Sequence, residues 1–174
     1  MGLDTYFVRT SKNAKHIHEL YHDDKYIEVK YNEVAYFRKF WSLLHRFNYT
    51  DQNYGDYIEV SKEKIEALRD EAKKTILMVE KYLTDNGWEI ETSALDISHY
   101  TDVRSNDYAS YLIVLKNGIF TDELEEQADN ICNSVYQESD SFLFSKVVYL
   151  YHKFTEILDT TDWDKEIIMM ESDW

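Results

Sequence analysis

The chain has 174 residues, of which 44% are hydrophobic and 16% aromatic, so it can bury one substantial core. This composition excludes a disordered polypeptide, and no run of apolar residues is long enough to predict a transmembrane helix. The formal net charge of −15 disfavours direct binding to nucleic acid, because a negative surface repels phosphate backbones.

The lone cysteine and the N-terminus indicate the compartment. Cys132 cannot form a disulfide within the chain, which is typical of a reducing environment. Residues 1–4 lack the basic and apolar regions of a secretory signal peptide. We therefore expect a cytoplasmic protein with a single α+β domain over residues 1–174. Residues 1–117 would form a mixed β/α portion and residues 118–174 an acidic helical portion, with four to five strands and about four helices in all.

The first part of the chain predicts strands that alternate with helices. Residues 3–10 predict a strand, and the polar residues 11–25 predict a loop or a short helix. The tetrapeptide Tyr-Ile-Glu-Val occurs at residues 26–29 and again at 57–60, and each copy is followed by a helical pattern. A strand-helix unit used twice would give this pattern, and so would two unrelated strands of common β-forming residues.

Two helices are predicted between residues 33 and 86. A central helix over residues 33–48 is predicted by apolar side chains at helical spacing, namely Val34, Phe37, Trp41 and Leu44. Ser61 is a candidate N-cap for the next helix, and Asn86-Gly87 supplies a left-handed stop. The predicted buried face of this second helix consists of Ile65, Leu68, Ala72, Ile76, Val79 and Leu83.

The remaining sequence predicts strands first and helices afterwards. Strands are predicted at 88–91, 95–100 and 108–116. Thr121 or Asp122 caps a helix with Leu124, Ala128, Ile131 and Val135 on its apolar face. A break at Asp140-Ser141 precedes a final helix through Leu158. For residues 159–174 a short strand, a short helix and a frayed end are all open.

Negative charge is concentrated in the last third of the sequence. Residues 117–174 carry 14 Asp and Glu against three Lys, a net charge of −11, whereas the first 116 residues carry −4. On the helix after Thr121, acidic side chains follow the i, i+4, i+7 spacing of one helix face, opposite the apolar stripe. The predicted partner-binding residues are Asp122, Glu126 and Asp129, with Glu123 and Glu125 beside them.

Two interpretations of this acidic face stay open. As an interaction face it could occupy the basic groove of a nucleic-acid-binding protein, because carboxylates about 6 Å apart along a helix approach the charge density of phosphates on a duplex. As a solvated helix face it would serve solubility alone. Like charges at i, i+4 cost a few tenths of a kcal/mol without a partner, which favours the interaction face slightly.

A histidine cluster offers a metal site as an alternative. On a strand His16 and His18 share a face, and on a helix His18 and His22 do, so either conformation presents two imidazoles to a metal. A polar surface loop is the other interpretation of these residues.

Polar side chains on the predicted central helix form a third candidate site. Glu33, Tyr36, Arg38, Lys39 and His45 could line a pocket, or project into solvent and pack in the core as ordinary helix residues. No Gly-rich phosphate loop and no Gly-x-Ser-x-Gly elbow occurs in the sequence. The sequence favours a protein that is not an enzyme and holds no cofactor.

Three short motifs resemble a family of small phage and bacterial proteins. The motifs are Met-Gly-Leu-Asp-Thr-Tyr-Phe at 1–7, Glu-Val-Ala-Tyr-Phe-Arg-Lys at 33–39, and Tyr-Ile-Glu-Val-Ser at 57–61 before an amphipathic helix. Members of this uncharacterised family begin Met-Gly-Leu-Asp-Met-Tyr-Leu and carry a Glu-Val-Gly-Tyr-Trp-Arg-Lys helix. The chain departs from those patterns at Thr5, Phe7, Ala35 and Phe37. The resemblance covers roughly the first 90 residues and implies a phage or mobile-element setting.

These features favour a non-enzymatic acidic binding or inhibitor protein of phage or mobile-element type. Its expected partner is a basic protein, such as a nucleic-acid-binding or host-defence protein, with neither nucleic acid nor a membrane as a direct partner. One alternative is a small metal-dependent enzyme that uses His16, His18 and His22. The other is an accessory protein whose charge has no specific role.

Overall fold

The structure is a computed structural model that describes residues 4–12, 32–49, 57–96, 114–115 and 122–173. Their secondary structure, in chain order, is β1 (Asp4–Ser11), β2 (Asn32–Arg38), α1 (Trp41–Arg46), β3 (Ile58–Val60), α2 (Lys62–Asp85), β4 (Ile90–Thr92), a 3-10 helix (Ala94–Asp96), β5 (Val114–Leu115), α3 (Asp122–Tyr136), α4 (Leu143–Thr160) and β6 (Glu166–Asp173). The predicted α+β class is confirmed, with a four-stranded antiparallel sheet and four α-helices among these residues. None of the described helices is long and apolar enough to cross a membrane.

The chain divides into two compact units. The first combines Met1–Glu66 with Glu156–Trp174, and the second is Ala67–Thr155. Both divisions fall inside helices, in α2 and in α4, and not at residue 117, where the charge of the sequence changes.

The first unit is built on the four-stranded sheet, whose strand order is β2-β1-β6-β3. The two central strands pair over their whole length, from Asp4 opposite Asp173 to Ser11 opposite Glu166. Of the acidic tail over residues 159–174, for which the sequence leaves a strand, a helix and a frayed end open, residues 166–173 form a central strand. Its apolar side chains anchor it, because Ile168 and Met170 are completely buried.

Aromatic side chains form much of the core of this unit. Phe7 of β1 packs against Phe37 of β2 and against Phe47, with ring centroids 5.8 and 5.5 Å apart. Phe37 also packs against Phe40 at 6.1 Å. All three pairs are edge-on, the arrangement that brings the positive edge of one ring to the negative face of the next.

The prediction of one helix over residues 33–48 is wrong for its first half. Residues 32–38 form strand β2, in which buried Ala35 and Phe37 alternate with partly exposed neighbours. Lys39 then adopts a positive φ of 52°, and the helix begins only at Trp41. Residues 34–37 are four consecutive apolar residues, which fit a helical and a strand period equally, and pairing with β1 selects the strand.

The amphipathic helix predicted after Ser61 is confirmed as α2. The Ser61 hydroxyl accepts a hydrogen bond from the Lys64 N–H at 3.2 Å, as an N-cap does. Gly87 ends the segment with a φ of 88°, in the left-handed region. The predicted buried face is buried at every position: Ile65, Leu68, Ala72, Ile76, Val79 and Leu83.

The predicted β-rich region is confirmed in part. β4 and β5 form an antiparallel pair with Ile90 opposite Leu115. The strand predicted from Leu95 is wrong for its first two residues, which lie in the 3-10 helix. Glu80 accepts hydrogen bonds from the Ser93 hydroxyl and the Ala94 N–H at 2.7 and 2.8 Å, and these local bonds compete with strand pairing. Residues 97–100 lie outside the described residues.

Other predictions also fall outside the described residues. They are most of the loop or short helix over 11–25, the strand over 26–29, and most of the strand over 108–116. The last three residues of the second copy of the tetrapeptide form strand β3.

Candidate functional site: an acidic cleft beside helix α3

Helix α3 and the segment that follows it enclose an open cleft of about 750 Å³ in the second unit. We call it the acidic cleft. Its lining includes four of the five predicted partner-binding residues, and Glu123 is the one that does not line it. The lining residues are Asp122, Glu125, Glu126, Asp129, Asn130 and Asn133 of α3, followed by Ser139, Asp140, Ser141 and Phe142. No lysine or arginine is among these described lining residues.

Three of the predicted acidic residues are exposed at the surface. They are Asp122, Glu123 and Glu126, while Glu125 is half-buried. Within the part of the chain that the structure describes, none of these four side chains forms an ion pair. The negative charge along this side of α3 is therefore available to a partner.

Asp129 differs from the other acidic residues because its side chain is buried, with 3% of its surface exposed. Its Oδ1 accepts a hydrogen bond from the backbone N–H of Phe144 at 2.7 Å. Phe144 lies in the first turn of α4, where N–H groups have no acceptor inside the helix, so Asp129 caps α4 from a neighbouring helix. Burial raises the pKa of Asp129 to about 6, and the nearby Glu125 and Asp140 add to the rise.

A second polar cluster holds the segment between α3 and α4. The Asn133 amide donates to the Asp140 carbonyl at 2.9 Å and accepts from the Asp140 N–H at 3.0 Å. The Asp140 carboxylate accepts from the Phe142 N–H at 3.0 Å and forms an ion pair with Lys146, which is itself buried. The predicted break at Asp140-Ser141 is confirmed, since α3 ends at Tyr136 and α4 begins at Leu143.

The electrostatics of the acidic cleft favour a positive ligand. The pKa of Glu125 is raised, chiefly because its carboxylate is partly buried and also because Asp122 is near. A pKa raised by like charges means that the ionised carboxylates repel one another, and a cation placed between them would relieve that repulsion.

Cys132 lies on the same helix and is fully buried. Burial raises the pKa of its thiol above the ordinary range, and the carboxylate of Asp129 raises it further. The acidic helix therefore does not activate the thiol, and Cys132 is a core side chain.

The third candidate site is not assembled on one helix. Glu33 and Tyr36 lie on β2, whereas His45 lies on α1 with its side chain exposed. The Tyr36 hydroxyl donates a hydrogen bond to the Asp4 carboxylate at 2.6 Å. Burial raises the pKa of Tyr36 and the Asp4 carboxylate adds to the rise, so the phenol stays protonated.

The histidine cluster lies outside the described residues. In the sequence, residues 18–22 of this cluster are His-Glu-Leu-Tyr-His and match the H-E-x-x-H motif of zinc proteases. In that motif the two histidines bind zinc from one helix face and the glutamate acts as the general base. Among the residues that are described, no group of three or more His, Cys, Asp or Glu side chains could hold a metal ion.

No protein-family model, curated protein or solved structure matches the chain. The resemblance to small phage and bacterial proteins stays a prediction from three short motifs.

Proposed function

We propose that this protein is a non-enzymatic binding or inhibitor protein that engages a basic protein partner through the acidic cleft. The observation that carries the proposal is the clustering of Asp122, Glu125 and Glu126 along one wall of the cleft, where none of them forms an ion pair with a described residue. Asp140, by contrast, is paired with Lys146, and Asp129 is bonded to the backbone of α4.

Physical chemistry links this arrangement to a cationic partner. A concave surface with charges of one sign concentrates the field and speeds the approach of an oppositely charged protein. Arg or Lys side chains that enter the cleft would replace carboxylate–carboxylate repulsion with attraction. The described lining residues of the cleft include acidic side chains and no lysine or arginine, which supports the interaction face.

The negative charge of the cleft suits a nucleic-acid-binding partner, but the acidic row is too short to imitate a long stretch of phosphate backbone. Because Asp129 is buried, the exposed acidic row on α3 consists of Asp122 and Glu126, with Glu123 beside it. We propose that this short row occupies one basic pocket or groove of a nucleic-acid-binding or host-defence protein. The phage or mobile-element setting that the three sequence motifs imply belongs to the same proposal.

Charge reversal tests the proposal. Purified protein is added to a panel of immobilised basic DNA- and RNA-binding proteins, and bound protein is measured as the salt concentration rises. The proposal predicts that at least one panel member captures the wild type, that duplex DNA competes, and that the capture decreases steeply with salt. The double variant Asp122→Lys with Glu126→Lys should lose the capture.

A matched double variant distinguishes an effect of the cleft on capture from an effect of overall net charge. Glu91→Lys with Asp159→Lys changes the net charge equally at two exposed positions outside the cleft. It should keep most of the capture. If both double variants lose it equally, the interaction depends on overall charge and the proposed role of the cleft is wrong. Asp129 is left unchanged in both, because its replacement would remove the cap of α4.

The second candidate, a small metal-dependent enzyme, is favoured by the order of residues 18–22. Untagged protein analysed for bound metal should then hold about one zinc per chain, as a zinc-protease site requires. His18→Ala and His22→Ala should each lose the metal, whereas Glu19→Gln should keep the metal and lose any hydrolytic activity. Zinc-free wild-type protein that also fails to bind added zinc would remove this candidate.

A further inference from the structure

An apolar groove lies on the other side of α3 in the same unit. It has a volume of about 430 Å³, and Met78 and Tyr82 of α2 form one wall. Ile131 and Val135 of α3 contribute to the opposite wall. Met78 and Tyr82 are 52% and 41% exposed, although both are large apolar side chains. Met and aromatic side chains with such exposure are typical of binding surfaces, where they become covered by a partner.

Asn130 lines both the apolar groove and the acidic cleft. The two concave surfaces are thus adjacent, with helix α3 as the ridge between them. Glu126 lies one helical turn before Asn130 on the cleft side, and Ser134 lies one turn after it on the groove side. A ligand that covers Asn130 would meet carboxylates on one flank and apolar side chains on the other.

The spacing of the groove residues fits a helical ligand. On each wall the apolar residues are four positions apart, Met78 with Tyr82 and Ile131 with Val135, which is about 6 Å along a helix axis. Peptides that dock as helices in grooves use apolar anchors at the same i, i+4 spacing. An α-helix is about 10–12 Å across with its side chains, wide enough to contact both sides of the ridge at Asn130.

We propose that the apolar groove and the acidic cleft together bind a basic amphipathic α-helix of the partner protein. Its apolar anchors enter the groove between α2 and α3, and the Lys or Arg side chains on its flank enter the cleft. This inference rests on the proposed function, because it describes the segment of the basic partner that the protein recognises. The occupant is chosen by charge complementarity, since the cleft beside the groove has no lysine or arginine among its described lining residues.

Synthetic peptides test the inference by fluorescence anisotropy with the full-length protein. The first peptide is an amphipathic helix of about five turns with an apolar stripe at i, i+4 and lysines on the adjacent flank. The second has the same composition with the stripe permuted around the helix. The third keeps the stripe and replaces every lysine with glutamine. The inference predicts that the first peptide binds at least about tenfold more tightly than either of the others.

Variants of the protein locate the binding. Met78→Ser with Tyr82→Ser should weaken binding of the first peptide by about tenfold or more, since two apolar anchors lose their contacts. Leu77→Ser is the matched control, because Leu77 is equally exposed on the same helix and does not line the groove. Asp122→Asn with Glu126→Gln should also weaken binding and should reduce its dependence on salt.

The other outcomes separate this inference from the proposed function. If the first and second peptides bind equally and Asp122→Asn with Glu126→Gln abolishes the binding of both, the inference is wrong. The proposed function is then still supported. Equal binding of the first and third peptides would overturn the inference, because the cleft would then contribute nothing. If no peptide binds while a basic protein of the panel is still captured through Asp122 and Glu126, the inference alone fails.

Discussion

Asp129 was predicted to lie on the acidic surface of α3, but its side chain is buried. Successive residues of an α-helix are rotated by about 100°, so Asp129 points within about 20° of buried Tyr136, while Glu126 points about 80° away from it. The i, i+4, i+7 spacing places Asp122, Glu126 and Asp129 on one broad face, but only the third borders the core. A carboxylate can be buried at this position because the N-terminus of α4 lies nearby and its N–H groups lack acceptors within the helix. This tertiary contact is not visible in the sequence.

The raised pKa of Asp129 predicts a pH dependence of stability. Its pKa is about 6 in the folded protein against 3.8 for an unperturbed aspartate, so the folded state binds a proton between these values and the unfolded state does not. The contribution of Asp129 to the free energy of unfolding is therefore most favourable below about pH 4 and is lost as the pH rises to about 6. The loss amounts to about 3 kcal/mol, because each tenfold difference in proton affinity between the folded and unfolded states corresponds to about 1.4 kcal/mol.

Asp129→Asn should remove this dependence, because asparagine can still accept the Phe144 N–H bond and does not ionise. The free energy of unfolding from urea titrations at pH 4.5 and pH 7.5 measures the effect. The variant should gain stability relative to the wild type at the higher pH. Glu123→Gln, which removes an exposed carboxylate from the same helix, is the control for loss of one charge. Coinciding profiles for the two variants would contradict the assigned role of Asp129.

At the scale of elements, α2 could be predicted and β2 could not. For α2 the cap at Ser61, the spacing of the apolar residues and the stop at Gly87 all indicate the same helix, and each signal is local. For β2 the apolar side chains of residues 34–37 are continuous, so no period is visible in the sequence. The alternation appears only once β1 supplies a neighbouring strand, which is a contact between residues about 30 positions apart.

The tail could not be assigned for a similar reason. Residues 167–170 are four consecutive apolar residues, a run too short to distinguish a strand from a helical turn. Their conformation is set by β1 on one side and β3 on the other. Ile168 and Met170 are buried completely, whereas Ile167 and Met169 are partly exposed.

This alternation predicts the response of β6 to truncated side chains. Ile168→Ala should lower the free energy of unfolding by about 2–5 kcal/mol, since it removes buried methyl groups from a filled core. Met169→Ala, at the next position of the same strand, should cost about 1 kcal/mol or less. Guanidinium titrations of the two variants give both values. Equal losses would show that the side chains of β6 do not alternate as described.

At the scale of the whole molecule, the acidic third of the sequence does not correspond to one structural unit. Of its 14 acidic residues, the seven between residues 122 and 140 belong to the second unit, and the seven from 156 onward belong to the first. The sequence could show the excess charge and the row on α3. It could not show the cleft, because Asp140 and Phe142, which lie beyond the end of α3, come to lie beside its acidic face only through tertiary packing.

The candidate site was therefore predictable in part. Asp122, Glu125 and Glu126 follow from helical spacing and do line one cleft. In the sequence, Asp140 is marked only by its position at a helix break. Met78 and Tyr82 are recognisable in the sequence only as apolar residues that lie outside the buried face of α2. A charge count also cannot separate an ionised surface residue from a buried cap such as Asp129.

The most direct test of the acidic cleft is an NMR titration of ¹⁵N-labelled protein with a short arginine-rich peptide. We expect that amide resonances move first around residues 122–142, that Asp122→Lys with Glu126→Lys abolishes these changes, and that added salt reverses them. Changes of equal size at the acidic residues after 156, or changes that survive the double reversal, would show that the peptide follows net charge and would contradict a specific site.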